Sequence, residues 1–253
     1  MEVTFDQGPL VSDAGLLALR ALERPLGILA DLAAQLPDPR APPFVRHSTE
    51  RLLTQQVYQV LAGCPDGNDA DRLRHDALFP LLAAVPPDGE PALASGSTLA
   101  RFPYAYPRRG QRQGQPEVLL VRRAAQRERR QRRHDFLADR FLRTRVTPPT
   151  EIILEVDATD DPSHGHQALS GYHGCYGQHH YLPRWVFDGA SGFPWACWLR
   201  HGTAHPSQGA VDVLRRVVQK LRAVGPEVVI NGRADSGLAV PAVYDSGQQD
   251  GRR

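Results

Sequence analysis

The stretch that decides the fold is Glu151–Gly165, "EIILEVDATDDPSHG", an apolar run that ends in three aspartates, Asp157, Asp160 and Asp161. Six residues of alternating and continuous apolar character read as a strand buried on both faces. The acids then sit at its carboxyl end. Downstream, "YLPRWVF" and "FPWACWL" flank "DGASG", the pattern of a hairpin. Gln208 to Ala223 carries Ala210, Leu214, Val217, Val218 and Leu221 at helical spacing, with Gly225 as its stop. "EVVIN" is the next strand and runs into "GRADSG". The predicted order is therefore three antiparallel strands, a crossover helix and a parallel strand, an α/β arrangement.

A helix between two strands is the usual connection for a parallel pair. If "EVVIN" lies beside "EIILEV", Asp157 and Asp235 leave neighbouring carboxyl ends although they are 235 − 157 = 78 residues apart. Open α/β sheets place ligands at such a switch point. Two close carboxylates repel unless a cation intervenes, and Mg²⁺ is commonly held by one or two carboxylates with phosphates and waters. Asp, Ser and Gly after a strand are also ordinary turn residues. Spacing alone leaves both readings open.

Upstream, the apolar spacing is helical from Asp13 to Leu82, with Leu16, Leu19, Leu22, Leu26, Leu29, Leu32 and Leu36 on one segment and Leu52, Leu53, Val57, Val60 and Leu61 on another. Pro25, Pro37 and "GCPDGND" punctuate them, and Ser97 suits the cap of a short helix carrying "TLARF". Residues 1–103 thus read as an all-helical region that either packs as a core or offers a helix-turn-helix to DNA. Residues 104–150 form a basic segment. It opens with "YAYPRRGQRQGQPE", which has no apolar period and reads as a linker. Between Arg122 and Arg145 ten arginines face three acids, with Phe136, Leu137, Phe141 and Leu142 as an apolar stripe at the far end. Arg122, Arg123, Arg127, Arg129, Arg130, Arg132 and Arg133 are candidate contacts to a nucleic-acid backbone; a solvated helix face is the plainer reading.

The net charge is +2, and Lys220 is the only lysine, so the positive charge is nearly all arginine, which suits bidentate phosphate contacts. Cys64, Cys175 and Cys197 are odd in number without CxxC spacing, which argues for a reducing compartment. Seven of the ten histidines fall between His164 and His205, but their spacing matches no closed zinc set. Trp185, Phe187, Trp195 and Trp198 are expected to form the hairpin core. No run of about 18 apolar residues exists, and the acidic start lacks a signal peptide's basic region. A cytoplasmic protein is expected.

Several long motifs, in order, resemble the DDE transposases, specifically the insertion-sequence branch called DDE group 1 or IS1380-like. They are "VRHSTERLLTQQVYQVLAG", "NDADRLRHDALFPLL", "SGSTLARF", "VDATDDPSHGHQ", "YHGCYGQHHYLP" and "VVINGRADSG", which together span most of the chain. The resemblance implies an RNase H-like catalytic domain over residues 151–253 that cuts and joins DNA at insertion-sequence ends with two divalent ions, Mg²⁺ or Mn²⁺. It implies Asp157 as the first metal-binding, catalytic acid and Asp235 as the second. Asp160 and Asp161 rank below Asp157, and Thr159, His164, Gly165 and Arg233 are motif positions of unassigned role. DNA is the implied partner, with assembly of several copies on it and association with the nucleoid; no membrane is involved.

The family's third acid is a Glu on a later helix, whereas this chain has no Glu after Glu227 and reads "LAVPAVYDSGQQDGRR" beyond Gly237. That ending is expected to be a polar tail without a long helix. The expectation is therefore an incomplete RNase H-like sheet in a C-terminally truncated, inactive copy. The alternative is a non-catalytic DNA-binding remnant or an inhibitor of transposition.

Overall fold

Residues 13–36, 38, 40, 42–85, 93–102, 135–145, 147, 149–165 and 170–251 are described by the computed structural model. They belong to two compact units, Met1–Arg129 and Arg130–Arg253. The expected linker and the seven candidate DNA-binding arginines, Arg122, Arg123, Arg127, Arg129, Arg130, Arg132 and Arg133, lie outside the described residues.

The first unit is helical: α1 (Leu16–Leu26), α2 (Ile28–Ala34), α3 (Thr49–Leu61), α4 (Asp69–Leu73), α5 (Leu78–Leu82) and α6 (Gly96–Arg101). The leucine-rich segment is two helices rather than one. Gly27 adopts φ +60° and donates its N–H to the Glu23 carbonyl at 2.7 Å, a left-handed cap that ends α1, while Pro25 sits inside the helix instead of ending it. Leu16 is buried, but Leu19, Leu22 and Leu26 of the same predicted stripe are exposed. Ser48 caps α3, its Oγ accepting the Arg51 N–H. The buried Gln55 is satisfied twice, donating Nε2 to the Ala94 carbonyl and accepting the Ala94 N–H with Oε1, both at 2.9 Å. The cap of α6 is displaced from Ser97 to Ser95 because Gly96 lies tight against Gly67 and donates its N–H to Asp71 Oδ1 at 3.1 Å.

The second unit is α/β. Residues 135–143 form α7, followed by β1 (Glu151–Ala158), β2 (Asp161–Pro162), β3 (Gly171–His173), β4 (Gln178–Tyr181), β5 (Arg184–Asp188), β6 (Pro194–Trp198), α8 (Ala210–Val224), β7 (Val229–Ala234) and α9 (Pro241–Gly251). The main sheet has the order β6-β5-β1-β7, with β1 antiparallel to β5, β5 antiparallel to β6, and β1 parallel to β7. This is the predicted mixed sheet with its crossover helix.

One face of that sheet builds the core. Ile152, Leu154, Val156, Val186, Trp195 and Ala196 pack with Val213, Val217 and Leu221 of α8 and with Phe141 of α7. The predicted stripe of α7 therefore seats in this core, and its Asp135 pairs with Arg216 of α8 at 3.4 Å. Burial of six such side chains supplies roughly 1.5–3 kcal/mol each. The aromatic set divides: Trp195 is fully buried, whereas Trp185 and Phe187 are half-buried on the other face, because alternation along β5 sends every second residue outward.

Two further corrections concern this unit. "YLPRWVF" is not one strand: Tyr181 ends β4 and Arg184 opens β5, with Pro183, which has no N–H for a ladder, between them. The His-rich segment instead builds a second sheet, β2-β4-β3, turned at Gly177 with φ +65°. The chain after Gly237 is not a polar tail but contains α9. Pro241 presets its first turn, Val243 packs on the core and Ser246 is buried. Packing overrides the weak helix propensity of "DSGQQDG". The cysteines form no disulfide. Among the described residues no helix is long and apolar enough to cross a membrane.

Candidate active site

The β1–β7 ladder sets the site. Val156 pairs with Ala234, so the next positions, Asp157 and Asp235, stand level at the carboxyl ends of neighbouring parallel strands. Asp235 keeps extended backbone (φ −73°, ψ 173°), so the strand conformation of β7 runs through it into the turn Ser236–Leu238. Val156 points to α8 and the core, and alternation turns Asp157 to the opposite face. Both acids are exposed.

The outward face of this ladder carries two polar links. Asn231 reaches diagonally to donate Nδ2 to Glu151 Oε1 at 2.8 Å. Arg233 forms an ion pair with Glu155. The ladder ends at Val156 and Ala234, and Asp157 and Asp235 follow directly on it; among the described residues neither carboxylate has a basic side chain in ion-pair range, and Asp157 Oδ1 accepts the neighbouring Ala158 N–H at 2.8 Å. Trp185 is the β5 partner of Asp157, and its ring stacks on Phe187 with centroids 5.6 Å apart. Cys197 of β6 is the next neighbour in the same row. Burial, with a smaller contribution from the Asp161 carboxylate, pushes its thiol pKa up.

The other motif residues take structural places. Asp160 Oδ2 accepts Gln178 Nε2 at 2.9 Å, and Asp161 pairs with Tyr181 in the second sheet. Thr159 donates its N–H to the Pro183 carbonyl. Gly165 has φ +72°, and His164 is exposed beside it. The histidines of the second sheet stack: His173, Tyr176 and His180 form a ring cluster, and the fully buried His180 shares a hydrogen bond between Nε2 and the Gly202 carbonyl at 2.9 Å. Gly202 is required there, because a Cβ would lie 2.1 Å from the His180 carbonyl oxygen. Among the described residues no group of three or more His, Cys, Asp or Glu is arranged to hold a metal. The acid pair is two carboxylates, not a closed cage.

Sequence reasoning missed Arg184 and Arg200. Arg184 is buried at the core-facing end of β5, level with Ala158 at the end of β1. Its signal was available: in "RWVFD" a charge occupies the inward parity of a strand whose other members are apolar.

The fold is thus a mixed sheet whose crossover brings two exposed carboxylates to the carboxyl ends of neighbouring parallel strands. In the comparison with protein families, residues 1–252 match the model described as transposase DDE domain group 1, and the chain belongs to that family. No curated protein and no solved structure matches it. Membership implies DNA as a partner.

Proposed function

We propose that the chain is a DNA transposase of the IS1380-like branch whose RNase H-like part, residues 151–253, holds a divalent cation between Asp157 and Asp235 beside a DNA strand. The observation that supports this best is the register that leaves both acids at the ends of neighbouring parallel strands, with no ion-pair partner for either among the described residues. The donor set fits the ion: two exposed carboxylates offer oxygen ligands and leave room for waters and a phosphate, as Mg²⁺ or Mn²⁺ prefers. A bound ion of this kind polarises a phosphoryl oxygen and lowers the pKa of a coordinated water. The chain's own part is to fix the two carboxylates on rigid strands, to keep Glu155 out of competition by pairing it with Arg233, and to offer Trp185 and Phe187 as a flat surface next to them. Arg122, Arg123, Arg127, Arg129, Arg130, Arg132 and Arg133 are proposed to hold DNA backbone, with the helical region 1–103 ahead of them and several copies assembling on paired ends.

These 253 residues contain no Glu after Glu227. The acids on α9 are Asp245 and Asp250. The second reading is a non-catalytic DNA-binding protein that occupies insertion-sequence ends, which needs only the partner that the family implies. One assay separates the two. The protein is incubated with end-containing DNA and Mn²⁺: nicking that Asp157→Ala abolishes supports the enzyme, salt-sensitive binding without nicking supports the binding protein, and loss of neither Mn²⁺ nor DNA affinity in Asp157→Ala and Asp235→Ala refutes the acid-pair site.

A further inference from the structure

A cavity of about 700 Å³ opens between the ends of β5 and β6 and the amino end of α8, lined by Arg184, Trp198, Arg200, His201, Gln208 and Asp212 among others. Two of its walls are guanidinium groups without carboxylate partners among the described residues. Arg184 is 1% exposed, donates Nη2 to the Pro206 carbonyl, and leaves its buried Nε without a partner. Arg200 donates Nε to the Leu182 carbonyl at 2.9 Å and Nη1 to the carbonyls of His205 and Pro206 at 2.9 and 3.1 Å, and leaves its buried Nη2 without one. Burying a charge without an opposite charge is costly.

The helix adds to the same field. Gly209, at φ +74°, is the amino cap of the 15-residue α8, and no side chain caps it. Arg184 Nη1 lies 4.0 Å from where a Cβ of Gly209 would stand, so a guanidinium sits directly under the positive end of the helix dipole. Asp212, the acid in the lining, is 86% exposed and lies 3.9 Å from Arg215. Burial, with the nearby Arg200 charge adding to it, pulls the Arg184 guanidinium pKa down to about 10. Two guanidinium side chains and a helix amino end line one cavity.

We propose that Arg184, Arg200 and the amino end of α8 form a binding site for a phosphate group, supplied either by a DNA phosphodiester or by free phosphate. Guanidinium forks and helix amino termini are the two commonest protein partners of that anion. The cavity exceeds a phosphate and suits a nucleotide unit, since small-molecule pockets run from roughly 300 to 1,000 Å³. Its position favours DNA. Pro206, whose carbonyl takes both arginines, packs on the turn after β7, where a Cβ on Gly237 would lie 2.9 Å from Pro206 Cβ and 3.3 Å from Asp235 Oδ1. A strand held here would pass the acid pair; that refinement rests on the transposase reading, whereas the phosphate site does not.

The test uses the full chain with EDTA, so that no metal bridges a phosphate. Inorganic phosphate is expected to raise the melting temperature where chloride at equal ionic strength does not, and Arg200→Gln to weaken phosphate binding about tenfold, with Arg200→Lys recovering part of it. Arg184→Met is expected to abolish binding; should it fail to fold, the Arg200 pair and wild-type titration still decide. A short oligothymidylate that competes with phosphate identifies DNA as the source, and phosphate binding without competition identifies free phosphate. No phosphate-specific shift in the wild type, together with unchanged oligonucleotide affinity in Arg200→Gln, overturns the site. Asp157→Asn is expected to leave phosphate binding intact, so failure of the acid pair and failure of this pocket are read separately.

Discussion

Two charged sites of opposite sign stand at the same end of the four-stranded sheet on opposite faces: Asp157 and Asp235 outward, Arg184 and Arg200 inward. The acids are open to water, which screens their repulsion, and they are made by one ladder register. Arg184 is buried and Arg200 half-buried, and they lean on the carbonyls of Leu182, His205 and Pro206, all in connecting segments. The first site is set by strands and tolerates lacking its counter-ion. The second is set by loops gathered around a helix end and is electrostatically incomplete without one. The difference separates a site that positions a ligand from a site that requires one.

The comparison breaks most completely through the shared floor. Trp195→Ala removes a fully buried ring in contact with Phe141 and is expected to cost about 3–5 kcal/mol of stability, measured by urea denaturation, with both sites lost together. Gly237→Ala attacks the wall between them: the new Cβ, 2.9 Å from Pro206, forces the 205–207 loop or the Asp235 turn to move. A cost of about 1–3 kcal/mol is expected, and a drop in Mn²⁺ and phosphate affinity together would show that the wall is common. Asp157→Asn sharpens the contrast by touching one side only. Mn²⁺ affinity, followed by electron paramagnetic resonance, should fall about tenfold, with the melting temperature unchanged because the residue is exposed. The smallest effect belongs to Glu155→Gln: Arg233 is 67% exposed, so loss of the pair should cost less than about 1 kcal/mol and vanish at high salt. An unpaired Arg233 would then stand one rung from the acids, and weaker Mn²⁺ binding in this variant would show that Glu155 shields them.

The legibility of the two sites in the sequence follows the same division. The main sheet was readable because its strands are long apolar runs separated by one amphipathic helix, and topology then carried Asp157 to Asp235. The second sheet was not, since β2 and β3 are too short to show a period and "QHHY" lacks the apolar alternation of a strand. Gly27 splitting the leucine-rich segment was present in the letters but outweighed by the leucine spacing around it. α9 was misread because serine, glycine and glutamine suggest a tail, while the contacts of Val243 and the burial of Ser246 that make it helical lie elsewhere in the fold. The arginine pocket draws on a strand, two loops and a helix cap, and no window of sequence contains all four. The family motifs supplied what spacing could not, a reason to propose a cation site as well as a turn at Asp157.

The parallel β1–β7 ladder has a consequence for how the molecule comes into being. Its two strands are separated by a hairpin, a second sheet and the whole of α8, so the ladder that leads to both acids forms only when one of the longest chain closures in this unit is complete. Closures of that reach come late in folding, because the entropy lost in joining distant segments precedes any contact that rewards it. A nascent or partly folded chain therefore holds Asp157 and Asp235 apart, and the cation binding proposed for them would arrive with the native state and disappear at the first loss of β7.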